Sequence, residues 1–461
     1  MSLNNQISIS VTDATPVVSE LDFTTTVFAD AHRWFKERYR TYSNIEAVVA
    51  DGIPTSSKAY AGALSFFTAN SKAQQSQLIL ARMDTVPSIT PSVTVATGLT
   101  FSLVVGVAGS SVTATYTTSS GNTSQQIVDA FITQINANTA VAAKVTPARV
   151  GSGAGSALTL TPVSANDQFE VKSLTNLTAV ASGLNSAETF IGQLEAETTD
   201  WTLIGASDHT ATFVADMAEQ IEARHKQYIV WTQEAGSLAS WNGITVPTDI
   251  LGLLTSNLRS KTITGWHHQA DTIFPEMAVA GRYMGYETGT YSWQYKEIGV
   301  PIARNPTTLL PLSETERTNL QSRNADTTIK FGGVIVNGNF TTATGKRIEL
   351  VRGGEFLATK LKEANELVFL TKGKIAFDDT GISVFKNVHA STWNRYRSVP
   401  SKPHLLDNSN PFLLEYPKSA DVLYADKSAG VLRASSTAYF AGEIGSVVIS
   451  VTTSYFLNAG A

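Results

Sequence analysis

The sequence predicts a multi-domain α/β and α+β protein: mixed-sheet core domains, an inserted small β-rich α+β domain, and a β-strand arm at each terminus. Three observations carry that prediction. Apolar runs such as "QLILAR" and "QYIVWT" alternate with stretches of helical periodicity, as in strands buried on both faces and joined by crossover helices. Between Pro87 and Phe190 the composition shifts to Thr, Ser, Val and Gly with hardly any charge. Both ends carry period-two alternation with no adjacent partner, through Ile7, Ile9 and Val11 at one end and Val447, Ile449 and Val451 at the other.

Taken in order, "NNQISISVTDA" reads as a strand wet on one face, and the following "TPVVSELDFTTTVFA" offers no two-residue Gly turn to fold it back. "FTTTVFADAH" is a second strand. The basic and aromatic "HRWFKERYR" reads as a solvated or interfacial surface with snorkelling Arg and Lys. Next, a Thr/Ser cap cluster opens a helix with Tyr60, Leu64 and Phe67 at helical spacing, followed by the buried strand "QLILAR". In the low-charge region, strands flank one helix capped by Thr123 or Ser124, with Ile127, Phe131 and Ile135 on one face. The α/β pattern resumes with the strand "WTLIG". A helix capped by Ser207 or Asp208 follows, with Val214, Met217 and Ile221 inward, and then the strand "QYIVWT", a spacing that favours a parallel crossover. Residues 266–300 read as irregular, and a last region opens with the capping box "SETE", Ser313 to Glu316.

Bulk composition narrows the function. At about 150 residues per domain, 461 residues make roughly three domains. The net charge of -5 gives no basic field to collect phosphates, which argues against nucleic acid as a main partner. The longest apolar run, "FSLVVGVAG", is far short of the ~20 residues that span a bilayer, and the N-terminus lacks a basic and apolar signal segment. The expectation is a soluble protein with no membrane insertion of its own and no export through a signal peptide. Zero cysteines exclude disulfides, iron–sulfur clusters and thiol nucleophiles. Charged residues make up 16%, against about 25% in ordinary soluble domains, which suits a surface that faces neighbours.

Catalytic motifs are weak. "TATGKRI" has Phe340 where a P-loop needs Gly and Arg347 where it needs the magnesium-binding hydroxyl. "GSGAGSA" has no helix behind it and reads as a loop. The best cluster is "GWHHQAD", where His267 and Asp271 would share a helical face as metal ligands or an acid/base pair, but no third ligand stands nearby. "SDH" at 207–209 matches a triad in letters alone. The expectation is therefore no enzyme, no cofactor, and no catalytic, cofactor-binding or metal site.

The order of elements resembles that of contractile-tail sheath proteins of myovirus-type bacteriophages. Three stretches carry the resemblance: "YSNIEAVVADGIPTSSKAYAGALSFFTANSKAQQSQLILAR", "WTLIGASDHTATFVADMAEQIEARHKQYIVWT" and "LSETERTNLQSRNADTTIKFGGVIVNGNFTTATGKRIELVRGGEFL". Phe66, Phe67 and Arg82 are marker residues. The chain departs from the usual pattern near its N-terminus, with "ATPVV" where many sheath proteins have Pro-Gly-Val, and residues 87–190 match no part of the common core.

The resemblance implies a terminal strand arm over 1–22 and a discontinuous α/β sheath domain over 23–86 and 191–300. It also implies a peripheral insertion at 87–190, a C-terminal α+β sheath domain over 301–440 and a second arm over 441–461. It further implies that Ile7, Ile9, Val11, Val447, Ile449 and Val451 pair with sheets of neighbouring subunits by β-augmentation. The implied function is a virion tail sheath, assembled in the bacterial cytoplasm. It would stack as hexameric rings around a tail tube and contract to drive the tube into the host envelope for genome ejection. The implied partners are the chain itself, the tube protein, and the baseplate and tail-terminator proteins, with Lys360 and Lys362 facing an acidic tube. An adhesin on the tail surface is the alternative.

Overall fold

Buried apolar runs with no wet face must be covered on both sides, and that requirement organises the chain. The computed structural model describes residues 21–69, 76–83, 85–164, 167–182, 185–243, 245, 247–338 and 341–442. The first unit comprises β1 (Thr26–Ala31), β2 (Tyr39–Tyr42), α1 (Ile45–Ala50), α2 (Lys58–Thr68) and β3 (Leu78–Met83). The low-charge region follows, with β4 (Val86–Pro91), β5 (Thr100–Val107), β6 (Ser110–Thr117), α3 (Ser124–Ala137), α4 (Thr139–Ala142), β7 (Val145–Val150), β8 (Ala157–Pro162), β9 (Glu170–Thr175) and β10 (Leu177–Ser182). The α/β pattern returns with α5 (Ala187–Glu197), β11 (Leu203–Ala206), α6 (Ala211–Glu222), β12 (Gln227–Thr232), α7 (Ile250–Ser256), β13 (Thr262–Trp266), α8 (Ala270–Ile273) and α9 (Pro275–Tyr283). The last part holds α10 (Glu314–Gln321), β14 (Thr328–Phe331), β15 (Val334–Asn337), α11 (Ile348–Thr371), α12 (Asp379–Asn394), β16 (Phe412–Glu415), α13 (Tyr424–Ala429) and β17 (Ser435–Ala438).

The central sheet has six strands in the order β13-β12-β11-β1-β3-β2, with every neighbouring pair parallel except β2 on β3. Alternate residues of each strand feed opposite faces. Phe28, Leu80, Ile229 and Trp231 pack with α1, α2 and α9. Val27, Ala29, Ile79, Tyr228 and Val230 pack with α5, α6 and α7. Residues 86–182 form two antiparallel sheets, β10-β4-β8-β7 and β6-β5-β9, around a cluster of their own that takes Ile127, Phe131 and Ile135 from α3. The chain is thus mixed α/β with several sheets. Thr123 caps α3 in a capping box with Gln126, and Ser313 does the same for α10 with Glu316.

Four local expectations are corrected. The segment 32–40 is not a solvated surface: His32, Arg33, Trp34, Phe35 and Arg38 are buried. It is wedged between β3 and the antiparallel region, where Arg33 donates Nε to Thr85 O (3.0 Å), Arg82 donates Nε to Glu37 O (3.1 Å), and Val171 N donates to Arg33 O (2.6 Å). Backbone carbonyls thus satisfy guanidinium groups that burial would otherwise penalise. The face of α2 is rotated: Ala59, Gly62, Ala63, Phe66 and Phe67 point inward, while Leu64 is exposed. Residues 266–300 contain α8 and α9. Nearly every residue of α9 is buried, so it shows no amphipathic period, and Pro275 stands at its first turn. Neither Ser207 nor Asp208 is the N-cap residue of α6; Thr210 occupies that position, and Asp208 instead accepts from Thr210 N (2.9 Å).

Helices α2 and α9 meet at Gly281, where an added Cβ would lie 1.9 Å from the carbonyl oxygen of Phe66. Backbone cannot yield there as a side-chain tip could. Gly281→Ala is therefore expected to cost about 2–3 kcal/mol through overpacking, read as a lowered urea midpoint at unchanged m-value.

Candidate functional site

In an open parallel sheet the carboxyl ends of the strands form a crevice where strand order reverses, here between β1 and β11. Polar side chains converge on that edge. Asp30 ends β1 and accepts from Ser207 Oγ (2.5 Å), just beyond β11. Lys58, the first residue of α2, donates Nζ to Ser207 O (3.0 Å). Beyond them His209 sits between two carboxylates, with Nδ1 2.7 Å from Asp271 Oδ1 and Nε2 3.1 Å from Glu276 Oε1. Gln233 Nε2 donates to the second oxygen of Asp271 (2.8 Å).

Electrostatics follow from burial. The His209 side chain is 4% exposed and that of Glu276 0%. Burial works to lower the His209 pKa, but the charge of Glu276 and hydrogen bonds to both carboxylates overcome it and raise it to about 9. Burial raises Glu276, and the hydrogen bond from His209 lowers Asp271. Burial also raises Asp30 against the hydrogen bond from Ser207. At neutral pH His209 is then an imidazolium donating from both nitrogens, with no lone pair left to take a proton or bind a metal. The group ties the start of α6 to α8 and α9 and closes the crevice with its own charges.

His267 and Asp271 do not come together. His267 ends up buried beyond β13 with Nε2 3.1 Å from Pro301 O, while its Nδ1 accepts from Gln269 N (3.2 Å). Burial, and secondarily His268, lower its pKa to about 4. Asp271 turns the other way, to His209. The partnership of His209 with Asp271 and Glu276 left no trace in the sequence, because the residues lie 62 and 67 positions apart. Ser207 faces Asp30, so residues 207–209 form no triad. Among the described residues no group of three or more His, Asp or Glu is arranged to hold a metal ion, and no helix is long and apolar enough to cross a membrane.

A second region holds the residues that the resemblance assigns to strand exchange and tube contact. Ile7, Ile9, Val11, Val447, Ile449 and Val451 lie outside the described residues. The described chain begins against α11, where Leu21 N donates to Glu363 Oε1 (2.7 Å). Lys360, on the same helix, donates to the other oxygen of Glu363 (2.8 Å) and is largely covered, whereas the Lys362 side chain is 75% exposed, 3.8 Å from Glu366. The strands β16 and β17 pair antiparallel with each other alone among the described strands. Their outward edges leave backbone groups available for a further strand.

No protein-family model matches the chain, and no curated protein matches it by sequence. Solved structures similar to nearly its whole length include two from one prophage. The helical sheath of the anti-feeding prophage in its contracted state matches with a TM-score of 0.51 at 9% identity, over 98% of this chain and 100% of that one. A chain of the six-fold symmetrised baseplate of the same prophage matches with a TM-score of 0.49 at 10% identity, over 99% and 100%. The fold is therefore similar to that of a chain in a contracted helical sheath, the class of protein that the sequence resembles.

The His209 group sets a pH dependence. Its contribution is fully present below about pH 6.5 and is lost as pH rises through about 9, because the folded state holds the proton more tightly than the unfolded chain. Urea unfolding at pH 7 and pH 9.5 is expected to show the wild type losing about 1–3 kcal/mol more than His209→Gln over that interval.

Proposed function

We propose that this chain is a structural subunit of a contractile injection system, and specifically a sheath protein. It polymerises as stacked hexameric rings around a tube and contracts by rigid-body rearrangement of whole subunits. The observation that carries this reading is the likeness to a contracted helical sheath over 98% of the chain. The low charge content and the open-edged β16–β17 ribbon add support, since both suit a molecule surrounded by copies of itself. No catalytic role and no cofactor enter the reading. Its partners are further copies, the tube, the baseplate and the tail terminator, and its place is the virion tail after assembly in the bacterial cytoplasm.

In this reading residues 1–22 and 441–461 are arms that add strands to neighbouring subunits, through Ile7, Ile9 and Val11 at one end and Val447, Ile449 and Val451 at the other. Residues 23–86 with 191–300 and residues 301–440 are the sheath domains. The insertion over 87–190 projects from the outer surface, because bulk against the tube or between rings would obstruct contraction. Lys360 and Lys362 face the tube; Lys362 is the freer of the two, since Lys360 is held by Glu363.

Each backbone hydrogen bond of an added strand contributes about 0.5–1.5 kcal/mol and each buried β-branched side chain about 1.5–3 kcal/mol, before the ordering cost of the arm. Repeated at every subunit, a modest surplus dominates polymerisation. Electron microscopy of the purified protein is expected to show tubes or rings; discrete monomers or trimers would favour an adhesin. Deleting residues 1–14, or replacing Val447, Ile449 and Val451 with Asp, is expected to abolish tubes. The protomers should remain soluble, with near-native circular dichroism. Tubes that persist in either variant would refute strand exchange.

A further inference from the structure

The two ends of the described chain meet on one helix. On the N-terminal side, the Phe23 ring packs edge-on against Phe356 of α11 at 5.0 Å, and the buried Arg352, one turn earlier, donates to Phe23 O. Glu363, two turns further along, takes the Leu21 amide. On the C-terminal side, Gly353 of the same helix lies so close to the ribbon that an added Cβ would stand 2.7 Å from side-chain atoms of both Leu405 and Phe440. There Ala441 N donates to Leu405 O (2.7 Å) and Leu406 pairs with Phe440. Between the two roots, Phe356 packs against Tyr396 at 4.9 Å, and Leu406 N donates to Tyr396 O (2.9 Å). All of these apolar groups belong to one small cluster, separate from the cores on either face of the central sheet.

From this placement we infer that the two terminal segments of a protomer are energetically coupled through α11, so that loosening the root of one end loosens the root of the other. A cluster this small cannot lose the Phe23 ring locally. Phe356 would lose its edge-on partner, and the rings and leucines that seat Phe440 rest on Phe356 in turn. Side chains that share one cavity typically couple strongly enough to change an opening equilibrium by about two- to 150-fold. The coupling is reciprocal by linkage, so each end must affect the other by the same factor. Meanwhile α11 is tied to the central sheet by polar contacts, Glu355 to His225 (2.5 Å) and Lys261 (3.0 Å) ahead of β12 and β13, and Arg352 to Gln227 Oε1 (3.3 Å) at the start of β12. None of these ties uses the Phe23 or Phe440 ring, so the apolar node can loosen while the sheet stays closed.

This coupling is a property of the single protomer and stands whether or not the arms exchange strands. Only its use in assembly rests on the proposed function: a subunit whose N-terminal arm is seated in a neighbour would hold its C-terminal arm ready for the next.

Hydrogen exchange read by mass spectrometry on the full chain, kept dilute enough to remain protomeric, tests the inference. In Phe23→Ala the amides of Tyr439 and Ala441 are expected to exchange at least about twofold faster. In Phe440→Ala the Leu21 amide should likewise accelerate at least about twofold. The double variant should add less than the product of the two. Amides within β12 and β13 serve as the internal reference and should keep wild-type rates, and Phe23→Leu, the milder change, should restore most of the protection. Acceleration confined to the mutated end overturns the inference, as does equal acceleration at the far end and in the reference strands. Failure of the chain to form tubes would leave this result unaffected.

Discussion

Parallel strands with no wet face cannot stand without cover, and most of this molecule is the consequence. The six-stranded sheet sends alternate residues into two cores of comparable size, so helices are required above and below it, and each parallel crossover has to return from the carboxyl end of one strand to the amino end of the next. That requirement places α2 and α9 in close contact on one side and α5, α6 and α7 on the other. It also creates a polar edge where β1 and β11 diverge. Many proteins of this architecture leave that edge open to a ligand. Here Asp30, Lys58, Ser207, His209, Asp271 and Glu276 meet there and pair among themselves.

Buried charge recurs at the joints between elements. Arg33 and Arg82 hold the segment after β1 by backbone carbonyls, Arg323 is paired with Asp249 beside α7 (3.0 Å), and Arg352 reaches the carbonyl of Phe23. Arg suits such positions because its planar fork meets several acceptors while its stem packs with apolar neighbours. A polar joint of this type fixes geometry more sharply than an apolar contact, which tolerates sliding. That definition of geometry, rather than the modest net stability of each pair, is what such joints supply.

The parts of this architecture legible in the sequence are those set by local rules. The runs at Leu78–Met83 and Gln227–Thr232 are apolar throughout, the helix at Ser124–Ala137 is amphipathic, and Ser313 and Glu316 sit at capping-box spacing. The parts that were not legible depend on what packs against them. A helix buried on all sides has no stripe to betray it, so Pro275–Tyr283 read as irregular. "HRWFKERYR" has a surface composition and is buried because distant groups pair with it: Arg33 donates to Thr85 O, Arg38 to Gln193 Oε1, and the carbonyl of Glu37 accepts from Arg82. The partners of His209 come from α8 and α9, and no spacing rule links them. The apolar node on α11 draws on residues more than 300 positions apart, which only the finished fold brings together.

The antiparallel region between β3 and α5 leaves and re-enters the molecule through its own first and last strands: β4 and β10 pair along their length, from Pro91 opposite Leu177 to Val86 opposite Ser182. The rest of the chain therefore meets a zipped two-strand stalk of fixed width, together with the strip from Gln168 to Val171 that abuts Arg33 and Arg82. Because the ladder holds the two ends together, the closure entropy of everything distal is absorbed at the stalk and grows only slowly with added length. Provided that strip is kept, the material beyond β4 and β10 could be exchanged, large for small or one surface chemistry for another, and the central sheet would experience the same boundary. Such a socket separates change in the inserted region from the packing constraints on the central sheet.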